Sequence, residues 1–234
     1  MVILAIETAT IVSSVAVAEE GKLLAEVTAA AKLTHSETLQ PHIKQAMEMA
    51  RVKREDIGAI AVSLGPGSFT GLRIGLAAAK GLAYAWGVPI VGVPTLEAMA
   101  ENFPVPGAVV VPLIDAQKGN AYMACYSRDE EGLKEVQPIE IIPLDEVVKR
   151  CGAMEKPVII CGDMTKKLAD KELPKNVRTA PFTHMLPRSA TVAALGLERL
   201  AKGEQDNVMN LEPFYIRRSE AEVLWEKRHP EADL

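Results

Sequence analysis

One order of elements runs twice along this chain, and that repetition restricts the fold more than any other feature. "VILAI" (2–6), "SSVAVA" (13–18) and "LLAEVT" (23–28) read as a three-stranded meander, with the turn signal "EEGK" between the second and third. A helix follows, on which Leu39, Ile43, Met47 and Ala50 recur at helical spacing. Thr34 and Glu37 fit a capping box for it, and Pro41 is expected to strain or kink it. Next come a buried strand at 57–64, a glycine-rich turn leading into a helix at 69–86, a strand at 88–93 and a short helix, "TLEAMAENF". The order then restarts. Strands at 107–115, 120–127 and 135–142 precede a helix from about 144 to 151, a strand at 157–162 and a helix at 191–203 ending at Gly203. This predicts two related α/β lobes, 1–103 and 104–234, hinged near "ENFPVPG" (101–107). The terminal segment is expected to be able to return to the first lobe.

At 234 residues, 48% apolar and 24% charged, the chain is long enough for one large or two small lobes with real cores. Its net charge of −5 and lack of a Lys/Arg run argue against binding nucleic acid on its own; such a role would be shared with a partner. Cys125, Cys151 and Cys161 form no CxxC pair, which points to a reducing, cytoplasmic compartment. No run reaches the length of a membrane span, so no membrane partner is expected.

The glycine turn, "SLGPGSFTGLRIG", has the strand–turn–helix layout in which a phosphate can sit on a helix N-terminus. No lysine occupies a Walker position, and Gly65, Gly67 and Gly71 miss the dinucleotide spacing. Ser68 is not in a nucleophile elbow, because Pro66 and Thr70 stand where glycines belong. The spacing favours a tight turn that brings a helix close to a sheet, and the small residues Gly71, Gly75, Ala78 and Ala79 suit that.

His35 and His42 lie seven residues apart, too far to share one ion without a ligand between them. The expectation is that one caps the helix and the other lies on its surface. His184 and His229 stand alone, and no metal site is read. Glu7 and Asp115 each end the first strand of a lobe. Two readings fit: ligand-facing carboxylates across a cleft, or caps on two turns.

"ILAIETAT", "HSETLQP", "SLGPGSFTGLRIGLAAAKGLA", "GVPTLEAMA", "PLIDAQKGNAYMACY" and "PFYIRRSEAE" together resemble the TsaB (YeaZ) family, from residue 3 to residue 222. The resemblance implies the actin/Hsp70/sugar-kinase (ASKHA) fold, with two RNase H-like lobes of mixed sheets flanked by helices. It further implies a non-catalytic relative of TsaD, the subunit that attaches threonylcarbamoyl to adenosine 37 of ANN-decoding tRNAs. TsaD carries two metal-binding histidines in a Val-x-His-x-Glu-x-His pattern. Here Val93 and Glu97 match, but Thr95 and Met99 stand at the histidine positions. A hydroxyl and a thioether do not replace two imidazoles around such a cation. The implied partners are TsaD and the ATPase TsaE, with tRNA bound only through the complex and a homodimer when the chain is alone. No resident cofactor is implied. Glu7, Gly65, Gly67 and Asp115 would line a vestigial nucleotide cleft that holds ATP or ADP weakly at most. Leu39, Ile43, Met47, Phe69, Leu72 and Leu76, on the two helices the family uses for pairing, are the expected interface. The alternative reading is a small-molecule kinase or ATPase of the same fold; a peptidase reading lacks both metal ligands and a nucleophile–base pair.

Overall fold

The computed structural model describes residues 1–30 and 35–216. Thr34, His229 and the part of the last motif beyond residue 216 lie outside the described residues.

Strands β1 (Val2–Glu7), β2 (Ser13–Glu19) and β3 (Lys22–Ala29) form the first meander. Helix α1 (His35–Ala50) and β4 (Ile57–Gly65) follow, then α2 (Phe69–Trp86), β5 (Ile90–Pro94) and α3 (Thr95–Glu101). The second series is β6 (Val109–Asp115), β7 (Asn120–Asp129), β8 (Gly132–Pro143), α4 (Leu144–Gly152), β9 (Val158–Cys161), β10 (Val177–Thr179) and α5 (Ser189–Ala201). The first sheet has the order β3-β2-β1-β4-β5 and the second β10-β9-β6-β7-β8. Read from its first meander strand outward, each is the same sheet. β1 pairs antiparallel with β2 and parallel with β4, and β6 pairs antiparallel with β7 and parallel with β9. Three residues of β10, "VRT", are too few to show a period, so this edge strand was not legible in the sequence.

Pro41 sits inside α1 without ending it. Leu39, Ile43 and Ala46 are buried on the first sheet, and that packing holds the helix across the missing N–H. Ser68 caps α2, its hydroxyl accepting the Gly71 N–H at 3.2 Å, and Gly87 closes it in the left-handed conformation at φ 68°.

The lobes are not two consecutive blocks. Helix α5, which follows the second sheet in sequence, packs on β1, β2 and β5 of the first, with Val192 and Ala193 among Ile3, Ala5 and Ala16. Helix α3 lies between the lobes. Its Leu96, Met99 and Ala100 pack with Val110, Ile114 and Tyr122 of the second sheet, while Ala98 joins the first core. Two ion pairs pin it. Glu97 accepts from Arg199 of α5 at 2.6 Å, and Glu101 pairs with Arg128 of β7. The segment after α5 also runs back over the first lobe. The Asp206 carboxylate accepts the Gly92 N–H, Lys80 donates to the carbonyls of Met209 and Leu211, and the Phe214 N–H donates to Leu64.

Candidate functional site

The glycine turn is filled by its own chain. The Ser68 N–H at the start of α2 donates to the Ala9 carbonyl at 2.6 Å. A Cβ on Gly67 would lie 2.1 Å from that same carbonyl oxygen. One on Gly71 would lie 2.1 Å from the Thr8 carbonyl oxygen, and one on Gly75 would lie 2.1 Å from Thr8 Oγ1. Thr8 Oγ1 in turn donates to the Gly71 carbonyl at 2.9 Å. On the far side, Gly65 faces Leu72 and the Phe214 carbonyl. The glycines are therefore required by the β1–β2 loop, which lies against the first turns of α2. A phosphate on this helix end would first have to displace Ala9.

The two strand-end carboxylates do the same local work in each lobe. Glu7 Oε1 accepts the Ala9 N–H at 2.6 Å, and Asp115 Oδ1 accepts the Gln117 N–H at 2.7 Å. Each caps the turn that follows its strand. Beyond that, their surroundings differ. Glu7 is fully buried, and desolvation raises its carboxyl to about 7. The Ala9 N–H and the facing Ser63 hydroxyl offset part of that rise. Glu7 Oε2 and Ser63 Oγ each lack a partner in full hydrogen-bond geometry among the described residues. Asp115 is exposed, pairs with Lys167 at 3.1 Å, and its N–H donates to Asp163. Of the residues expected to line a nucleotide cleft, Glu7 is sealed in the core, Gly67 lies against the Ala9 carbonyl, Gly65 faces Leu72 and the Phe214 carbonyl, and Asp115 is held in a surface ion pair.

Thr95 is fully buried, and its hydroxyl accepts the Gly65 N–H at 3.1 Å. Met99 is buried against the second lobe. Both positions thus join the glycine turn and the lobes to α3. No group of three or more His, Cys, Asp or Glu is placed to hold a metal ion among the described residues. His35 and His42 both tie α1 to the first meander, unlike the cap-and-surface expectation. The His35 ring bonds the Thr10 carbonyl at 2.8 Å, and His42 bonds the Ser13 hydroxyl at 3.0 Å. Burial lowers the His42 pKa.

The expected interface residues also need correction. Leu39, Ile43, Leu72 and Leu76 are 2%, 5%, 1% and 5% exposed, so they belong to the monomer's own core. Met47 is half-buried against that core, and Phe69 stacks on Tyr215 at 4.9 Å beneath the Arg73 guanidinium. The helical period holds, but it marks the side that is buried in the monomer, because an amphipathic stripe marks the buried side first. The outward side of α2 carries Ala77 and Gly81, flanked by half-buried Ile74 and Ala78, at i, i+3, i+4 and i+7. Tyr84 beside them is 73% exposed, and Met49 on the neighbouring α1 is 61% exposed.

Two sheets of one topology, bridged by α3 and by the returning α5, define the two-lobed ASKHA class. The TsaD family model, described as tRNA N6-adenosine threonylcarbamoyltransferase, matches residues 22–225. The chain is 30% identical to the tRNA threonylcarbamoyladenosine biosynthesis protein TsaB of Bacillus subtilis, over 96% of this chain and 98% of that one. It is 31% identical to the TsaB of Escherichia coli, over 97% and 98%. YeaZ from Pseudomonas aeruginosa superposes with a TM-score of 0.76 at 24% identity, covering 92% of this chain and 99% of that one. The chain belongs to the TsaB (YeaZ) family. Among the described residues no helix is long and apolar enough to cross a membrane.

Proposed function

We propose that this chain is a non-catalytic partner subunit acting in the cytoplasm, which binds and activates a TsaD-type subunit. That subunit transfers threonylcarbamoyl from threonylcarbamoyl-AMP to adenosine 37 of ANN-decoding tRNAs. A TsaE-type ATPase completes the assembly, and the chain pairs with itself when alone. Family membership supports the pathway. The observation that supports the non-catalytic reading is the Ala9 carbonyl seated on the Ser68 N–H, which closes the helix end on which a phosphate would sit.

The docking face is the outward side of α2. Gly81 lies inside an 18-residue helix, and a Cβ there would meet nothing within 4 Å. Glycine in a helix interior costs about 1 kcal/mol relative to alanine, and the monomer gives no return for it. A helix from a second subunit crossing at Ala77 and Gly81 does, because small residues permit close approach. The same patch meeting itself across a two-fold axis gives a homodimer.

The test is reconstitution of the modification from purified TsaD- and TsaE-type proteins, threonylcarbamoyl-AMP and tRNA, with and without this chain. Product only in its presence is the expected result. Equal product without the chain, or phosphoryl transfer from ATP by the chain alone, overturns the proposal.

A further inference from the structure

The second lobe carries a basic edge that sequence order hides. Residues 163–178 hold Lys166, Lys167, Lys171, Lys175 and Arg178 against Asp163, Asp170 and Glu172, an excess of two cations in a chain whose net charge is −5. No long run of cations announces it. Instead the fold gathers it along the edge strand β10 and the 3₁₀ turn at 163–168. Lys166 and Lys171 line an open pocket with Thr165, Thr179 and Met185. Lys167 and Lys171 are engaged by Asp115 and Asp145, whereas Lys166 and Lys175 are exposed and make no ion pair among the described residues. Arg178, also exposed, is oriented by the carbonyls of Lys175 and Val177. Phe182 stands in the turn between Thr179 and Met185, closed by the His184 N–H on the Pro181 carbonyl, and is 83% exposed. Three residues from Thr179, it lies within about 10 Å of the pocket rim.

An aromatic ring left in water, within chain reach of an open pocket on whose rim Lys166 is unpaired, has the make-up of a single-strand RNA platform. Cations hold phosphates, and a ring accepts a base by stacking. We infer that the β10 edge, through Lys166, Lys175, Arg178 and Phe182, binds an RNA strand directly. This rests on the tRNA-modification reading for the RNA's identity, but the surface is testable apart from it. It also means that the chain contributes RNA contacts of its own, where the sequence had suggested only a shared role.

The test uses the full chain alone at low ionic strength, with an unmodified ANN-decoding tRNA transcript and a short single-stranded RNA as probes. The wild type should bind both. Lys166→Glu with Lys175→Glu should weaken binding at least tenfold and lower the slope of log K against log salt by about two. Phe182→Ala should weaken it about tenfold with the slope unchanged. All three side chains are exposed, so circular dichroism and pairing with the TsaD-type partner should match wild type. No binding by the wild type, or unchanged affinity and slope in the charge variant, overturns the inference. So does binding to phosphatidylserine vesicles that exceeds binding to RNA. Failure of reconstitution would remove the modification reading while leaving this binding result intact.

Discussion

The Cβ that Gly71 lacks would sit 2.1 Å from the Thr8 carbonyl oxygen, and the one Gly75 lacks would sit equally close to the Thr8 hydroxyl oxygen. One obstacle is backbone and the other is a side chain, so the two sites should respond differently to a second change. Gly71→Ala is expected to cost roughly 3 kcal/mol, because the β1–β2 loop must move as a whole. Gly75→Ala should also destabilise. Adding Thr8→Ala should recover part of the Gly75→Ala loss but none of the Gly71→Ala loss, a coupling of about 1 kcal/mol or more in urea unfolding. Equal behaviour of the two glycines would contradict this packing.

Glu7 gives the fold a dependence on pH. Its carboxyl is raised from 4.5 to about 7 by burial, so the folded state holds a proton that the unfolded chain releases near 4.5. The stabilisation from the neutral form is complete below about 4.5 and is lost as pH rises through 7. At about 1.4 kcal/mol per unit the loss is about 3 kcal/mol. Glu7→Gln keeps an oxygen for the Ala9 N–H and cannot ionise. It should match wild type near pH 4 and exceed it by up to about 3 kcal/mol at pH 8. A difference that stays constant between the two pH values would show that Glu7 does not titrate in this window.

The doubled order of elements was legible because each lobe repeats a meander, and meander strands are long enough to show their period. Assignment of α5 to a lobe was not. Its sequence says only that one face is apolar, and the small side chains of Ala5, Ala16 and Ala61 that receive it lie far away in the chain. The glycine turn could be excluded as a Walker motif from spacing. That Ala9 occupies it could not be read, because the contact joins residues nearly sixty positions apart. The strand-end carboxylates were found, and the turn-capping alternative is what the hydrogen bonds show. The unpaired cations of the β10 edge were not legible in the sequence because Lys166 and Lys175 are interspersed with acidic residues and with Lys167 and Lys171, and only the fold shows which lysines Asp115 and Asp145 neutralise.

Arg199 ties α3 to the first lobe. Its guanidinium donates to Glu97 and to the Gly92 carbonyl at 2.8 Å. Burial pushes the Glu97 carboxyl up and Arg199 draws it back down. Arg199→Met should therefore strand a partly buried carboxylate and cost about 2 kcal/mol at neutral pH. Pairing it with Glu97→Gln should restore most of that loss. A double variant no more stable than Arg199→Met would assign the cost to the Gly92 contact instead.

Core and docking face lie side by side on α2. Leu76 and Ala77 are neighbours on α2, but Leu76 is 5% exposed whereas Ala77 is exposed. Leu76→Glu forfeits about 1.5–3 kcal/mol of burial and places a carboxylate against the first sheet, so the chain should unfold. Ala77→Glu faces water in the monomer and should change stability by no more than about 0.5 kcal/mol. In a close helix pairing the same carboxylate is buried without a partner, at a cost of several kcal/mol. Self-association and binding to the TsaD-type subunit should both weaken at least a hundredfold in sedimentation and pull-down measurements. Gly81→Ala should act in opposite directions on the two states. It should stabilise the monomer by up to about 1 kcal/mol while loosening the pair, since the added methyl stands where the second helix comes closest. If Ala77→Glu folds and still pairs with wild-type affinity, the docking face lies elsewhere on the molecule.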